Sequence, residues 1–349
     1  MPVAHLKRSP KLMNKRNHLI DLLRFLAASW VALMHFNQVV PHINNWYRNL
    51  LSYGYLGVPV FFVISGYCVY LAAENSKNAG DFIIRRLFRI FPPYWFSILI
   101  VGVAVIFSRI VYGGNLVTAL PKTVPGVLAT ITLLTVPLTK IQVINWVYWT
   151  LTFEIFFYLV ICMALLFSVR YRSGWLILIA VLPLVLPIQN YWFFFFIKHW
   201  PEFCLGVIVF RLLHYPKKEV WQNIVLIILT MVGLFTIPLM PYIPLATIIT
   251  SLLIVLNHFK PLKNNFFSKL GDYSYSIYLI HVPIGVYILG SLKQTQYVQT
   301  HLWLNILWDV ILLGIIVLLS KIMYLYIELP AIQMGKKYSQ KHTAAINPD

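Results

Sequence analysis

Acidic residues are scarce in this chain: 10 Asp and Glu against 28 Lys and Arg in 349 residues. So few carboxylates make any that falls inside an apolar span informative. Cysteine is scarcer still. Cys68, Cys162 and Cys204 stand singly in apolar runs, without the paired spacing of a zinc site or a disulfide framework, and are expected to be inert packing. A glycine-rich phosphate loop, an internal repeat, a low-complexity linker and an appended soluble domain are also missing. No metal is expected. The chemistry of the chain must therefore lie among its apolar segments.

Those segments dominate. Apolar residues make up 60% of the sequence and charged residues 11%, which leaves too little polar surface for a soluble globule. The fold class expected is all-α, a polytopic transmembrane bundle of about ten membrane-spanning helices. Candidate spans lie near 19–40, 54–73, 89–112, 146–168, 174–188, 191–212, 221–238, 241–257, 272–291 and 303–327, each long enough or nearly long enough to cross a bilayer. The fifth and eighth are short and interrupted by proline. The segment 117–138 is too broken by Pro, Thr and Lys to span and is read as re-entrant or interfacial.

Residues 1–18 are read as a basic cytoplasmic tail, 19–330 as the transmembrane domain and 331–349 as a second cytoplasmic tail. The first apolar stretch is too long for a signal peptide and lacks a small-residue cleavage site, so it is read as a retained helix. With the amino terminus inside, 20 of the 28 basic residues fall on the cytoplasmic side and only 4 on the other. This bias sets the orientation and predicts that both termini are cytoplasmic, in a cell membrane of the bacterial inner-membrane type. The net charge of +18 is a topology signal matched to anionic lipid, since charge split among short loops does not suit nucleic acid.

Within the spans, ionisable residues are expensive and point to function. Arg24 and His35 are eleven residues apart, which returns them to one helical face about 16 Å apart. A snorkelling arginine and a hydrogen-bonded bundle histidine are the alternative, and the two residues alone weigh both readings evenly. Arg86 and Arg89 share a face in the run Ile84 to Trp95, with Arg85 beside them, ahead of a Pro92-Pro93 break. Such a pair can clamp a polyanion with two planar forks. Ordinary positive-inside charge is the competing explanation. Glu154 lies about 12 Å below the outer end of its span and His35 about 7 Å below that of the first, so the two are expected to meet or share a cavity. A carboxylate there would orient the imidazole as a general base; a glutamate that merely joins helices is the alternative. Asp21, one turn before Arg24, is expected to pair with it.

Five segments in order resemble integral-membrane acyltransferase family 3. Asp21-Leu22-Leu23-Arg24 with His35 resembles its Arg-x10-His helix, and Phe61-Phe62-Val63-Ile64-Ser65-Gly66 its Phe-Phe-x-x-Ser-Gly segment. Arg86-Leu87-Phe88-Arg89 resembles its Arg-x-x-Arg, Trp149 to Glu154 its Trp-Thr-Leu-x-x-Glu, and Ser274 to His281 its Ser-x-x-x-Tyr-Leu-x-His. The likeness runs from residue 19 to about 330. One departure is Pro59, where many members carry an acidic residue.

The resemblance implies an O-acyltransferase that moves an acyl group, most commonly acetyl, from cytoplasmic acyl-CoA to a hydroxyl of a surface glycan or lipid-linked saccharide. It implies His35 and Glu154 as catalytic residues, Arg24, Arg85, Arg86 and Arg89 as donor-phosphate ligands, and Ser65, Tyr278 and His281 as substrate contacts. Ser65 bonding its own backbone is the plainer reading of that residue. Aromatic residues near the outer loops, Trp46, Tyr47, Tyr112, Trp146 and Tyr148, suit either sugar stacking or an interfacial belt. A proton-coupled transporter or exporter of a polysaccharide precursor is the alternative, disfavoured by the lack of paired, symmetrically broken helices.

Overall fold

A computed structural model describes residues 16–38, 44–113, 120–135, 143–186, 192–237, 240–293, 297–298 and 301–346. The basic tail 1–15, Lys140, and the Tyr112 side chain lie outside the described residues. Among the described residues fourteen α-helices follow one another: α1 (His18–Gln38), α2 (Trp46–Ser52), α3 (Gly57–Glu74), α4 (Ala79–Tyr112), α5 (Val124–Ile131), α6 (Trp149–Leu166), α7 (Val169–Val185), α8 (Trp200–His214), α9 (Val220–Thr236), α10 (Ile243–Phe259), α11 (Phe266–Leu270), α12 (Ser274–Val282), α13 (Leu302–Met323) and α14 (Leu329–Ile346). The described residues contain no strand. The chain is an all-α membrane bundle. Among the described residues five stretches are long and apolar enough to cross a bilayer, namely His18–Gln38, Trp46–Glu74, Ala79–Val111, Trp146–Leu166 and Leu302–Gln340, with shorter apolar helices at α9 and α10.

Close backbone approach sets the centre of the bundle. A Cβ on Gly66 of α3 would meet the Phe203 carbonyl oxygen at 2.0 Å, and one on Gly206 of α8 would meet that of Val63 at 2.0 Å. Only glycine at both positions lets α3 and α8 touch backbone to backbone, the small-residue packing that membrane helices use where lipid gives no hydrophobic drive. Ser65, beside Gly66, is thereby fixed at the middle of the bundle. The outward faces are apolar, as Leu99, Ile106 and Ile110 of α4 show by their exposure.

One feature departs from the expectations above. Pro92 and Pro93 do not break the chain, because α4 runs unbroken through both for 34 residues. Neighbouring groups steady that turn, with the Tyr275 hydroxyl donating to the Ile90 carbonyl at 2.9 Å, as packed membrane helices tolerate proline. The segment after α4 includes the eight-residue α5, tied to α4 by Tyr94 Oη to the Thr130 carbonyl and Trp95 Nε1 to the Ile131 carbonyl. The carboxy-terminal segment is helical to Ile346 and packs along α4. There Tyr338 stacks on Phe88 at 5.5 Å, and Ser339 lies buried against Asp81 and Arg85.

Candidate active site

A cavity enclosing about 750 Å³ of space outside atoms, its mouth included, opens between α1, α3, α4, α6 and α12. Its polar lining is Arg24, Ser65, Arg86, Arg89, Glu154 and Tyr158, joined by Thr150, Ser274, Tyr275 and Tyr278. Three cations from two helices thus face one space.

Each is held by a different means. The Arg86 guanidinium donates to the Cys68 carbonyl at 3.0 Å and sits over the rings of Tyr158 and Phe82, at 5.5 and 5.9 Å. Arg89 lies in the electrostatic field of Glu328 and Glu154. Arg24 shares the Glu328 side of the cavity. Arg85 is placed differently. Its Nε is 2.7 Å from Asp81 and 3.1 Å from Ser339, and it does not line the cavity. The reason is helical spacing: Arg85 is one turn beyond Asp81 and points at α14, while Arg86 and Arg89 point inward. Asp21 likewise pairs with Arg16 at 2.6 Å rather than with Arg24. Arg16 also reaches Asp272 at 2.8 Å, which leaves Arg24 to the cavity.

Glu154 is part of the cavity wall. Its Oε1 accepts from Ser65 Oγ at 3.1 Å and from Tyr158 Oη at 2.6 Å. Ser65 therefore bonds a carboxylate across helices and not its own backbone. The expected contact between Glu154 and His35 is not made. His35 Nδ1 instead lies 2.8 Å from Gln38 Oε1, one turn on in the same helix. An amide oxygen accepts only, so Nδ1 carries the proton and Nε2 keeps its lone pair. Gln38 thus fills the tautomer-fixing role that sequence assigned to Glu154.

His35 does not line the cavity. It lies between two rings, His281 at 5.4 Å and Trp146 at 5.7 Å. His281 packs in turn against Tyr278 at 5.7 Å, and Tyr278 does line the cavity. Tyr278 Oη is 2.7 Å from Thr150 Oγ1 and 3.0 Å from the Val147 carbonyl. Ring contacts thus link His35 through His281 to Tyr278 on the cavity wall. Among the outer aromatics, Tyr148 is buried against Ser97, whereas Trp146 flanks His35.

Other polar residues near the site escaped the sequence reading. Tyr158 was accessible, since it stands one helical turn from Glu154. Glu328, buried and bonded by Ser276 at 2.9 Å, is an acidic residue in an apolar run and met the same test that singled out Glu154. At the carboxy-terminal end of α1, Asn37 Oδ1 accepts from Arg48 at 2.6 Å and from Lys293 at 2.7 Å, while its Nδ2 donates to Asp309 at 2.8 Å. Lys293 and Asp309 pair at 2.6 Å, both almost without exposure, and Tyr47 Oη donates to Asp309 at 2.8 Å. This network joins α1, α2, α13 and the segment before it, two residues from His35. Its members are far apart in sequence, and no spacing rule links them. No group of three or more His, Cys, Asp or Glu suited to a metal occurs among the described residues.

Comparison with known proteins agrees with the likeness seen in the sequence. The profile of the family described as "Acyltransferase domain" matches residues 17–325, most of the chain. Nodulation protein 10 of Rhizobium leguminosarum bv. viciae is 28% identical over 186 residues, covering 47% of this chain and 48% of that protein. The chain thus spans about half the length of that relative. No solved structure matches.

Proposed function

Given that the chain belongs to integral-membrane acyltransferase family 3, we propose that it moves an acyl group, acetyl in the simplest case, from cytoplasmic acyl-CoA to a hydroxyl of a cell-surface glycan or lipid-linked saccharide. The observation that carries this reading is the convergence of Arg24, Arg86 and Arg89 on one cavity whose wall, through Tyr278 and His281, leads to His35. The residues present fit the donor. Guanidinium forks suit phosphate oxygens, and the apolar wall of Val58, Phe61, Phe62 and Leu151 suits a slender pantetheine arm.

In this mechanism the donor phosphates rest on Arg86, Arg89 and Arg24, and the thioester passes Tyr278 to reach His35. The acceptor hydroxyl comes from the outer side. His35 Nε2 takes its proton as the oxygen attacks the thioester carbonyl. The C–S bond breaks, and the imidazolium returns the proton to the CoA sulfur. Gln38 holds Nδ1–H throughout, and His281 steadies the bound substrate. Glu154 serves the donor site, balancing the arginines and holding Ser65 and Tyr158. Both termini are cytoplasmic in this reading.

The test is acceptor-dependent release of CoA from acetyl-CoA by protein in nanodiscs, with a surface-glycan extract as acceptor. Loss of release in His35→Ala and Arg86→Ala, from protein that remains folded, is expected. Turnover retained in His35→Ala would refute the base assignment, and substrate movement without CoA release would favour an exporter.

A further inference from the structure

Two polar atoms beside His35 are buried and make no hydrogen bond: the indole Nε1 of Trp146 and the imidazole Nε2 of His281. Buried polar groups in folded proteins are nearly always paired, and an exception calls for an explanation. These two are not scattered. Their rings flank the same imidazole, at 5.7 and 5.4 Å.

Their polarities are complementary. Indole Nε1–H only donates. His281 Nδ1 lies 3.0 Å from the Ile277 carbonyl, which fixes the proton on Nδ1 and makes Nε2 an acceptor. One ring with an orphan donor and one with an orphan acceptor therefore both pack on one base. The Trp146 ring is also held in place. It packs edge-on against Tyr287 at 5.8 Å and opens the 3₁₀ turn Trp146–Tyr148, whose cap Asn145 is wholly buried and bonds the Leu279 carbonyl at 3.3 Å. That bond ties Trp146 to α12, the helix that carries His281.

We infer that Trp146 is a further catalytic residue, whose Nε1–H donates to the thioester carbonyl oxygen as it gains charge during acyl transfer. This rests on the reading of His35 as the base. When the acceptor oxygen bonds to the carbonyl carbon, the carbonyl π electrons move to oxygen. A fixed, dry N–H donor stabilises that oxyanion without having to reorganise. The electrons return as the C–S bond breaks, and the proton passes from the acceptor hydroxyl through His35 to the CoA sulfur. An N–H with no partner in the resting protein is free to make its bond only then.

The test is Trp146→Phe in the full-length protein in nanodiscs, assayed with acetyl-CoA and the glycan extract. Trp146→Phe also gives up ring packing against Tyr287 and His35 and should lower the thermal midpoint somewhat whatever its role, so the discriminating readout is kcat against KM in protein still folded at the assay temperature. The expected result is a fall of roughly a hundredfold in kcat, with KM for both substrates held. Retained kcat overturns the inference, and so does a raised acceptor KM at constant kcat, which would make Trp146 an acceptor contact. Should Trp146→Phe fail to fold, benzothienylalanine at the same position replaces the N–H by sulfur in the same bicycle and reads the same quantities. His35→Ala separates the two hypotheses. If that variant keeps turnover, the base assignment falls; if it is dead while Trp146→Phe is fully active, only the present inference falls.

Discussion

The imidazoles of His35 and His281 stack at 5.4 Å with an angle of 23° between their planes, although the two residues are 246 positions apart. His281 is fully buried and uses Nδ1 on the Ile277 carbonyl, so its Nε2 is available to an incoming hydroxyl beside the base. His281→Phe keeps the stacked ring and removes that acceptor. The expected outcome is a higher acceptor KM and a fall in kcat of at least about tenfold, with a lower melting midpoint from the lost Nδ1–H bond to the Ile277 carbonyl. Steady-state kinetics beside a melting curve checks both. Unchanged kinetics would leave His281 as packing alone.

The arginines separate by the direction in which they point. Arg86→Ala removes a cation from the cavity and should raise KM for acetyl-CoA on the order of tenfold or more, an effect that shrinks with added salt. Arg85→Ala should leave that KM unchanged. It removes instead a partner of the wholly buried Asp81 at the junction of α4 with α14, and should cost about 1–2 kcal/mol of stability. Donor kinetics and thermal midpoints on the two variants check the assignment together. A raised KM in Arg85→Ala would return that residue to the donor site.

Backbone contact between α3 and α8 gives a prediction independent of chemistry. Gly206→Ala would put a Cβ 2.0 Å from the Val63 carbonyl oxygen, so the helices must separate. Overpacking of this kind costs about 1–3 kcal/mol or more, and here it shifts the helix carrying Ser65. A lower thermal midpoint and reduced yield of folded protein are expected, whereas Gly102→Ala, where nothing lies within 4 Å, should be neutral. Equal melting of the two variants would mean that the α3–α8 contact is looser than described.

The bundle was legible because membrane insertion writes itself in long apolar runs. Arg24, Arg86, Arg89, Ser65 and Glu154 were legible because a polar group in such a run needs a reason, and all five line one cavity. Pairing was not. Depth along a helix placed Glu154 and His35 at similar levels but carries no rotation between helices, so Glu154 was assigned to His35 when it faces Ser65 and Tyr158. Asp21 was matched to the nearest cation in sequence, while Arg16 reached it from the preceding turn. Lys293 and Asp309 are 16 residues apart in different segments, and only the folded chain brings them together on Asn37.

That network carries a charge whose titration can be followed. Lys293 lies in the connection that precedes α13, and burial pushes its ammonium down to about 8 from the usual 10.5, against the pull of the Asp309 carboxylate. Arg48, Tyr47 and Asp309 are the ionisable groups around it. A lysine with a depressed pKa in the folded state holds fewer protons than the unfolded chain between about pH 8 and 10.5. The unfolded state then binds the extra proton, so the contribution of Lys293 to stability rises with pH across that window and is flat below it. The charge in the folded protein thus costs stability below about pH 8, by up to about 3 kcal/mol. Lys293→Met removes the titration, though it also leaves Asp309 short of a partner. The expected result is that the wild type gains stability relative to Lys293→Met as pH rises from about 8 to 10, measured as the difference in thermal midpoint at each pH. Catalysis should move the opposite way. Neutral Lys293 weakens the pair with Asp309 that anchors the last turn of α1, so kcat should fall above about pH 8 while the fold persists. A pH-independent difference in midpoint would mean that Lys293 keeps an ordinary pKa, and parallel losses of activity and stability would make the alkaline fall simple unfolding.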